Sequence, residues 1–230
     1  WRVQNLPNAD WASMWQSGFK SLPVGRRLLI RPDWEMGELA PESLRGRVTV
    51  WLRPGAGFGT GRHETTRLAI EQLENLIMPG YAVLDFGAGS AVLSIAARRL
   101  GAARVLAVEN DPQALENARD NIALNKCENR IELVRADYPP SPDGTGFDVI
   151  LCNMLTRRAL SHLAGLAALL HDKNSILIYT GFLTDEINEV IKGLFEAGLQ
   201  PLQFHQSGDW GAWEAFRFRT TAPATVKIGG

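Results

Sequence analysis

The sequence predicts an α/β fold: a doubly wound, mostly parallel seven-stranded sheet with a terminal antiparallel hairpin and a tryptophan-rich N-terminal extension. Three observations predict it. From residue 64 onward, short apolar runs alternate with helix-length amphipathic stretches, the pattern of a parallel sheet with crossover helices. One run, Val83-Leu84, ends in Asp85-Phe86-Gly87-Ala88-Gly89-Ser90, an acid followed by a Gly-x-Gly turn into a helical stretch. The final two runs, Leu199–Gln206 and Ala212–Phe218, have no helix between them, only Ser207-Gly208-Asp209, and read as an antiparallel pair.

Each element has its own signal. Residues 1–55 form an arm that holds five of the seven tryptophans: Trp1, Trp11, Trp15, Trp34 and Trp51. Trp11, Trp15 and Phe19 recur at a spacing that puts them on one helical face. Leu28–Pro32 and Val48–Leu52 read as short strands, and the tryptophans read as core more than as a ligand platform. The main domain, residues 56–221, opens with a helix over Glu64–Leu76. Strands follow at Tyr81–Phe86, Arg104–Val108, Ile131–Val134, Phe147–Cys152 and Ile176–Tyr179. The intervening helices are Ala91–Leu100, Pro112–Leu124, Arg158–Leu170 and Asp185–Ala197. Asp111 is the expected N-cap before Pro112 at the first helical position. Residues 222–230 read as a tail.

Composition narrows the function classes. A net charge of -1 over 230 residues gives no bulk electrostatic case for direct nucleic-acid binding. Cys127 and Cys152 lack metal-ligand spacing and read as buried free thiols, which fits a reducing cytoplasm. No apolar run reaches the ~18 residues of a membrane span. No signal-peptide pattern opens the chain, which begins at Trp1 and is expected to be a processed, trimmed or excised segment.

The glycine turn and the carboxylate Glu109, at the end of the next strand, fall on the carboxyl edge of the sheet, where open α/β sheets bind ligands. An acid there accepts ribose hydroxyls, so the pair predicts a nucleoside-containing cofactor. A dinucleotide fingerprint requires glycine where Val92 stands, and no phosphate loop exists. The nearest cations, Arg98 and Arg99, lie a helix away. A phosphate-free cofactor with a cationic end fits better, and S-adenosylmethionine has that chemistry. Asp85 would orient its ammonium, directly or through water. Asp137 either accepts the exocyclic amine of adenine or is a loop acid.

Two further features lie near that edge. Pro54 to Thr66 packs four glycines into seven residues and leads into a helix; Phe58, Gly59 and Thr60 would cover the ligand in a loop that closes like a lid. His63 reads as a base or, more simply, as a hydrogen bonder at the helix start. Asn153 ends a strand, where an amide oxygen holds an amine with its lone pair aimed at a methyl donor. Methyl transfer is an in-line displacement in which alignment supplies much of the rate, and it requires no metal.

Asp85–Gly89, Glu109-Asn110-Asp111-Pro112, Cys152-Asn153-Met154-Leu155 and above all Pro54–Thr66 resemble class I S-adenosylmethionine-dependent methyltransferases of the PrmA type, which have a Rossmann-like fold. The glycine loop matches the family's P-G-x-A-F-G-T-G-x-H-x-T-T apart from Gly57. The segment from Trp11 to Trp34 resembles the family's linker, so the resemblance runs to about residue 219. It implies transfer of methyl groups to lysine and N-terminal amines of a ribosomal protein, with Thr66, Gly87, Glu109 and Asn153 as cofactor contacts and Phe58 and Gly59 over the cofactor. The chain departs from the pattern at Ala91, where the family has a third glycine; at Glu109, where it has Asp; and at Asn110, where it has an apolar residue; it is also expected to be without the family's N-terminal recognition domain. Another protein, a peptide or a small amine therefore stands beside a ribosomal protein as the expected acceptor. A cofactor-binding module without turnover would carry the same cofactor residues.

Overall fold

The computed structural model describes residues 19–55, 57–140 and 145–218. The helical face expected at Trp11 and Trp15, Trp1 and the tail all lie outside them. Two sheets make up the described part. The smaller has the order β1 (Leu22–Val24), β2 (Leu28–Pro32), β3 (Val48–Leu52), with β1 antiparallel and β3 parallel to β2. The larger has seven strands in the order β6-β5-β4-β7-β8-β10-β9: β4 (Ala82–Phe86), β5 (Arg104–Glu109), β6 (Ile131–Arg135), β7 (Val149–Asn153), β8 (Ile176–Leu183), β9 (Leu199–Ser207) and β10 (Trp210–Arg217). β4 to β8 run parallel to one another, and β10 runs antiparallel to both β8 and β9. The expected sheet class and closing hairpin are present.

Helices α1 (Glu64–Leu76), α2 (Val92–Leu100), α3 (Pro112–Leu124) and α6 (Ile187–Glu196) form where the periodicity predicts them. Asp111 caps α3, its carboxylate accepting from Gln113 N at 2.8 Å and Ala114 N at 2.9 Å. The single helix expected over 158–170 is instead two short ones, α4 (Thr156–Ala159) and α5 (Leu163–Ala168). The break falls at His162. Its amide turns back three residues to Ala159 O, and its ring packs edge-on against Phe86 at 4.9 Å. Apolar periodicity ran through this break, but tertiary packing stopped the helix.

The arm shares its core with the larger sheet. Phe19, Val24, Leu28, Ile30, Val50 and Leu52 belong to the same buried cluster as Ile70, Leu73, Val83 and Ile95. Trp34 packs against this cluster and meets Phe19 edge-on at 5.8 Å, and Trp51 lies under the guanidinium of Arg31. These two tryptophans are structural, as expected.

A polar clamp fixes the join. Asn117, Asn121 and Asn125 recur every four residues along one face of α3 and its C-cap. Asn125 accepts from Trp51 N at 2.9 Å and donates to Trp51 O at 2.6 Å. Asn121 accepts from Arg53 N at 2.7 Å and donates to Ser90 O at 3.1 Å, and Asn117 donates to Arg53 O at 3.0 Å. The three amides take the place of a neighbouring strand for the exit from β3, whose buried backbone groups would otherwise lack partners. Through Ser90, Asn121 also couples the arm to the glycine turn after β4.

Candidate functional site

The chain crosses from one half of the sheet to the other between β4 and β7, and a cleft of about 430 Å³ opens outside the carboxyl ends of these strands. This is the switch-point position for ligands of open α/β sheets. β4 leads into Gly87 and Gly89, β5 ends at Glu109, β7 ends at Asn153, and all four residues line the cleft. β10 runs the other way, so its first residue, Trp210, arrives at the edge where the parallel strands end.

The turn after β4 is held in one shape. Gly87 and Gly89 have φ of 79° and 55°, values that glycine adopts readily. A Cβ on Gly87 would meet the Met154 side chain at 3.1 Å, and one on Gly89 would strike the carbonyl of Phe58. Ala91 is also left-handed, at φ 62° and ψ 18°. It stands where the third glycine of the resemblance would be, and it holds this conformation at a cost of about 1–2 kcal/mol.

Glu109 is 8% exposed and already hydrogen-bonded to backbone. Oε2 accepts from Gly89 N at 2.7 Å, and Oε1 accepts from the amides of Asn110 and Asp111, each at 2.9 Å. A carboxylate has about four acceptor sites, so one remains for a donor entering the cleft. The longer side chain of Glu, compared with Asp, reaches back to the glycine turn.

Asp85 is fully buried and does not line the cleft. Oδ2 accepts from Ser94 Oγ at 2.6 Å, while Oδ1 has no partner among the described residues. Burial pushes its carboxyl up from 3.8 to about 6; hydrogen bonds from Ser94 oppose this, and the charge of Glu109 adds to it. The folded protein therefore holds a proton between pH 4 and 6 that the unfolded chain has released. Stability should fall as pH rises through that window, and Asp85→Asn should flatten the slope. Thermal melts of both proteins between pH 4 and 7 check this; an unchanged slope in Asp85→Asn would show that Asp85 is not its source.

On the opposite wall, Asn153 Nδ2 donates to Thr66 Oγ1 at 3.5 Å. Thr66 is fully buried and meets the cleft through this amide, and Oδ1 of Asn153 has no protein partner among the described residues. Phe58, 57% exposed, stands edge-on to His63 at 5.2 Å, and His63 edge-on to Trp210 at 4.8 Å, so three rings form one side of the mouth. His63 caps α1 through Nδ1, which accepts from Thr65 N at 3.3 Å. The glycine loop is seated on the turn: Ser90 N donates to Phe58 O at 2.9 Å, and Ser90 Oγ donates to Gly59 O at 2.7 Å. Gly59 and Thr60 line not the cleft but an adjoining hollow that shares Phe58 and His63 with it.

A smaller cavity of about 250 Å³ adjoins the cleft and shares Gly87, Glu109, Asn110, Met154 and Arg158 with it. Asp137 lines this second cavity. Phe58, Gly87, Gly89, Glu109 and Asn153 thus meet in the main cleft, Asp137 lies next door, and Thr60, Thr66 and Asp85 stand behind the walls. Trp210, Gly181, Met154 and Arg158 line the cleft without having been foreseen. Arg158 supplies the cation that the sequence near the turn lacks. Arg98 and Arg99 point elsewhere, to the carbonyls of Ala102 and Asn125.

Residues 1–217 match the family described as ribosomal protein L11 methyltransferase (PrmA). The ribosomal protein L11 methyltransferase of Pelobacter propionicus is 41% identical, over 96% of this chain and 70% of its own length. That of Trichlorobacter lovleyi is 39% identical, over 95% of this chain and 70% of its own length. The crystal structure of a ribosomal protein L11 methylase from Lactobacillus delbrueckii subsp. bulgaricus superposes with a TM-score of 0.79 at 29% identity, covering 87% of this chain and all of that one. A precorrin-6y C5,15-methyltransferase from Geobacter metallireducens shares the fold, with a TM-score of 0.56 at 20% identity over 68% of this chain and 90% of its own. With the cleft at the switch point of the same sheet, these matches make the chain a methyltransferase that belongs to the PrmA family.

Proposed function

We propose that this chain moves a methyl group from S-adenosylmethionine to an amine nitrogen of a protein, with ribosomal protein L11 the first acceptor to test. One observation carries the reading: the cleft sets a nucleoside-type wall of Gly87, Gly89 and Glu109 against Asn153, whose amide oxygen has no protein partner among the described residues. The donor set fits the cofactor. Glu109 keeps one acceptor site for a hydroxyl, the glycines admit close approach, and Asp85 keeps an unpartnered buried oxygen behind the turn. When bound, S-adenosylmethionine supplies an electrophilic methyl on a cationic sulfur.

The residues of the chain do the rest by position. Asn153 Oδ1 accepts an N–H of the amine and aims its lone pair into the cleft. Phe58, His63 and Trp210 narrow the mouth, exclude water and offer aromatic faces or edges to a long aliphatic side chain. The attacking nitrogen must be neutral, so a lysine sheds its proton before transfer. Arm residues 1–55 act as a linker to the catalytic domain of residues 56–221, with the described part, 19–55, seated on that domain, and cytoplasm is the compartment that suits such a substrate. No helix among the described residues is long and apolar enough to cross a membrane.

Incubation with isotope-labelled S-adenosylmethionine, purified L11 and separately a panel of peptides and small amines tests the reading by mass spectrometry. Label on lysine or an N-terminal amine of L11 is the expected result. Label confined to small amines would replace the protein acceptor, and tight cofactor binding with no label on any acceptor would replace the enzyme with a binding module.

A further inference from the structure

Asn110 stands at the seam between the two cavities and lines both. Its Nδ2 donates to Asp137 Oδ1 at 2.9 Å, and its carbonyl accepts from Arg135 Nε at 3.3 Å. Next to it, Ala136 N donates to Glu109 O at 3.2 Å. The ends of β5 and β6 are thereby tied together, and Asp137 is held by one oxygen. Its other oxygen has no protein partner among the described residues. Arg157 and Arg158 line the same cavity and are exposed. Without a fixed partner the Asp137 carboxylate is free to turn toward either of these cations.

We propose that Asn110 is a positioning residue that sets base specificity: it orients Asp137 so that the free carboxylate oxygen takes a 6-amino purine and rejects a 6-oxo one. The inference rests on the reading that an adenosine cofactor occupies the cleft with its ribose on Glu109. Glu109 and Asp137 line one cavity, so a base extending from that ribose enters a space also lined by Met154, Phe86 and His162. An ionised carboxylate only accepts hydrogen bonds. It gains a charge-assisted bond from an exocyclic amine and faces the lone pairs of a carbonyl with repulsion. Asn110 acts through Asp137 and by itself has no preference between the two edges.

Calorimetry with S-adenosylhomocysteine and its 6-oxo analogue S-inosylhomocysteine tests this without turnover. The wild-type protein should prefer the adenosyl ligand by about 10–100-fold, the worth of a hydrogen bond to a charged group. Asn110→Leu should shrink the preference to a few-fold, weakening the adenosyl ligand and relieving the repulsion felt by the inosyl one. Asp137→Leu, which removes the acceptor without adding a donor, should do the same, and the double variant should add nothing further. A preference that survives Asn110→Leu, or equal weakening of both ligands, overturns the role of Asn110. Failure of wild type to bind either ligand overturns the cofactor reading itself, which is a separate result.

Discussion

Asn153→Ala should lower turnover by about 10²–10³-fold and leave S-adenosylhomocysteine affinity within a few-fold. In-line transfer depends on holding the nitrogen within a fraction of an ångström of its attack position, and a misplacement of ~1 Å costs ~10²-fold. Removing one preorganised hydrogen-bonding group from a water-excluded site costs ~10²–10³-fold in turnover, which sets the same range. Asn153 meets both conditions: it ends β7, its Nδ2 is tied to the buried Thr66, and its oxygen faces the cleft. Thr66→Val should move turnover the same way by less, because the amide stays but loses the partner that fixes its rotamer. Steady-state kinetics beside calorimetry separates the roles. If affinity falls first and turnover only in proportion, Asn153 holds the methionyl end of the cofactor instead of the acceptor amine.

The parts of this site that were legible in the sequence lie within one strand-to-helix unit. Gly87, Gly89 and Glu109 are set by short continuous apolar runs and the turn residues that end them, and the parallel ladder carries that local order straight to the cleft. Asn153 was legible for the same reason, as the residue where an apolar run stops. Trp210 was not. It is brought in by the antiparallel return of β10 beside β8, where Trp210 pairs with Leu183, and nothing near Trp210 in the chain signals that pairing. Gly181 lies within β8, which runs four residues past the expected end at Tyr179. Its φ of 97° and the backbone of Met154 against it become visible only once β7 and β8 are side by side. Thr66 and Asp85 match motif positions yet stand behind the walls, because a motif records which residues matter without recording whether they touch the ligand or hold a residue that does. The helix break at His162 likewise depends on Phe86, seventy-odd residues earlier in the chain.

Gly89→Ala should destabilise the fold by roughly 2–4 kcal/mol and abolish cofactor binding at concentrations that saturate wild type. The φ of Gly89 is 55°, near the best left-handed value an L-residue can take, and by itself that costs ~1–2 kcal/mol. The larger part comes from contact. The new Cβ strikes the Phe58 carbonyl, the acceptor of the Ser90 amide. Relief requires the glycine loop to lift off the turn or the turn to shift away from Glu109, and forcing an extra methyl into packed surroundings costs ~1–3 kcal/mol. Gly80→Ala is the control. Gly80 has φ 96° and open space around it, so backbone strain alone makes Gly80→Ala the costlier change, whereas loop docking makes Gly89→Ala the costlier one. Denaturation midpoints decide between them. Trypsin cleavage at Arg62 reads the loop directly. Slow cleavage of wild type without cofactor and fast cleavage of Gly89→Ala fit a loop that is a fixed wall of the cleft; fast cleavage of wild type that S-adenosylhomocysteine suppresses would restore the lid that the four glycines first suggest.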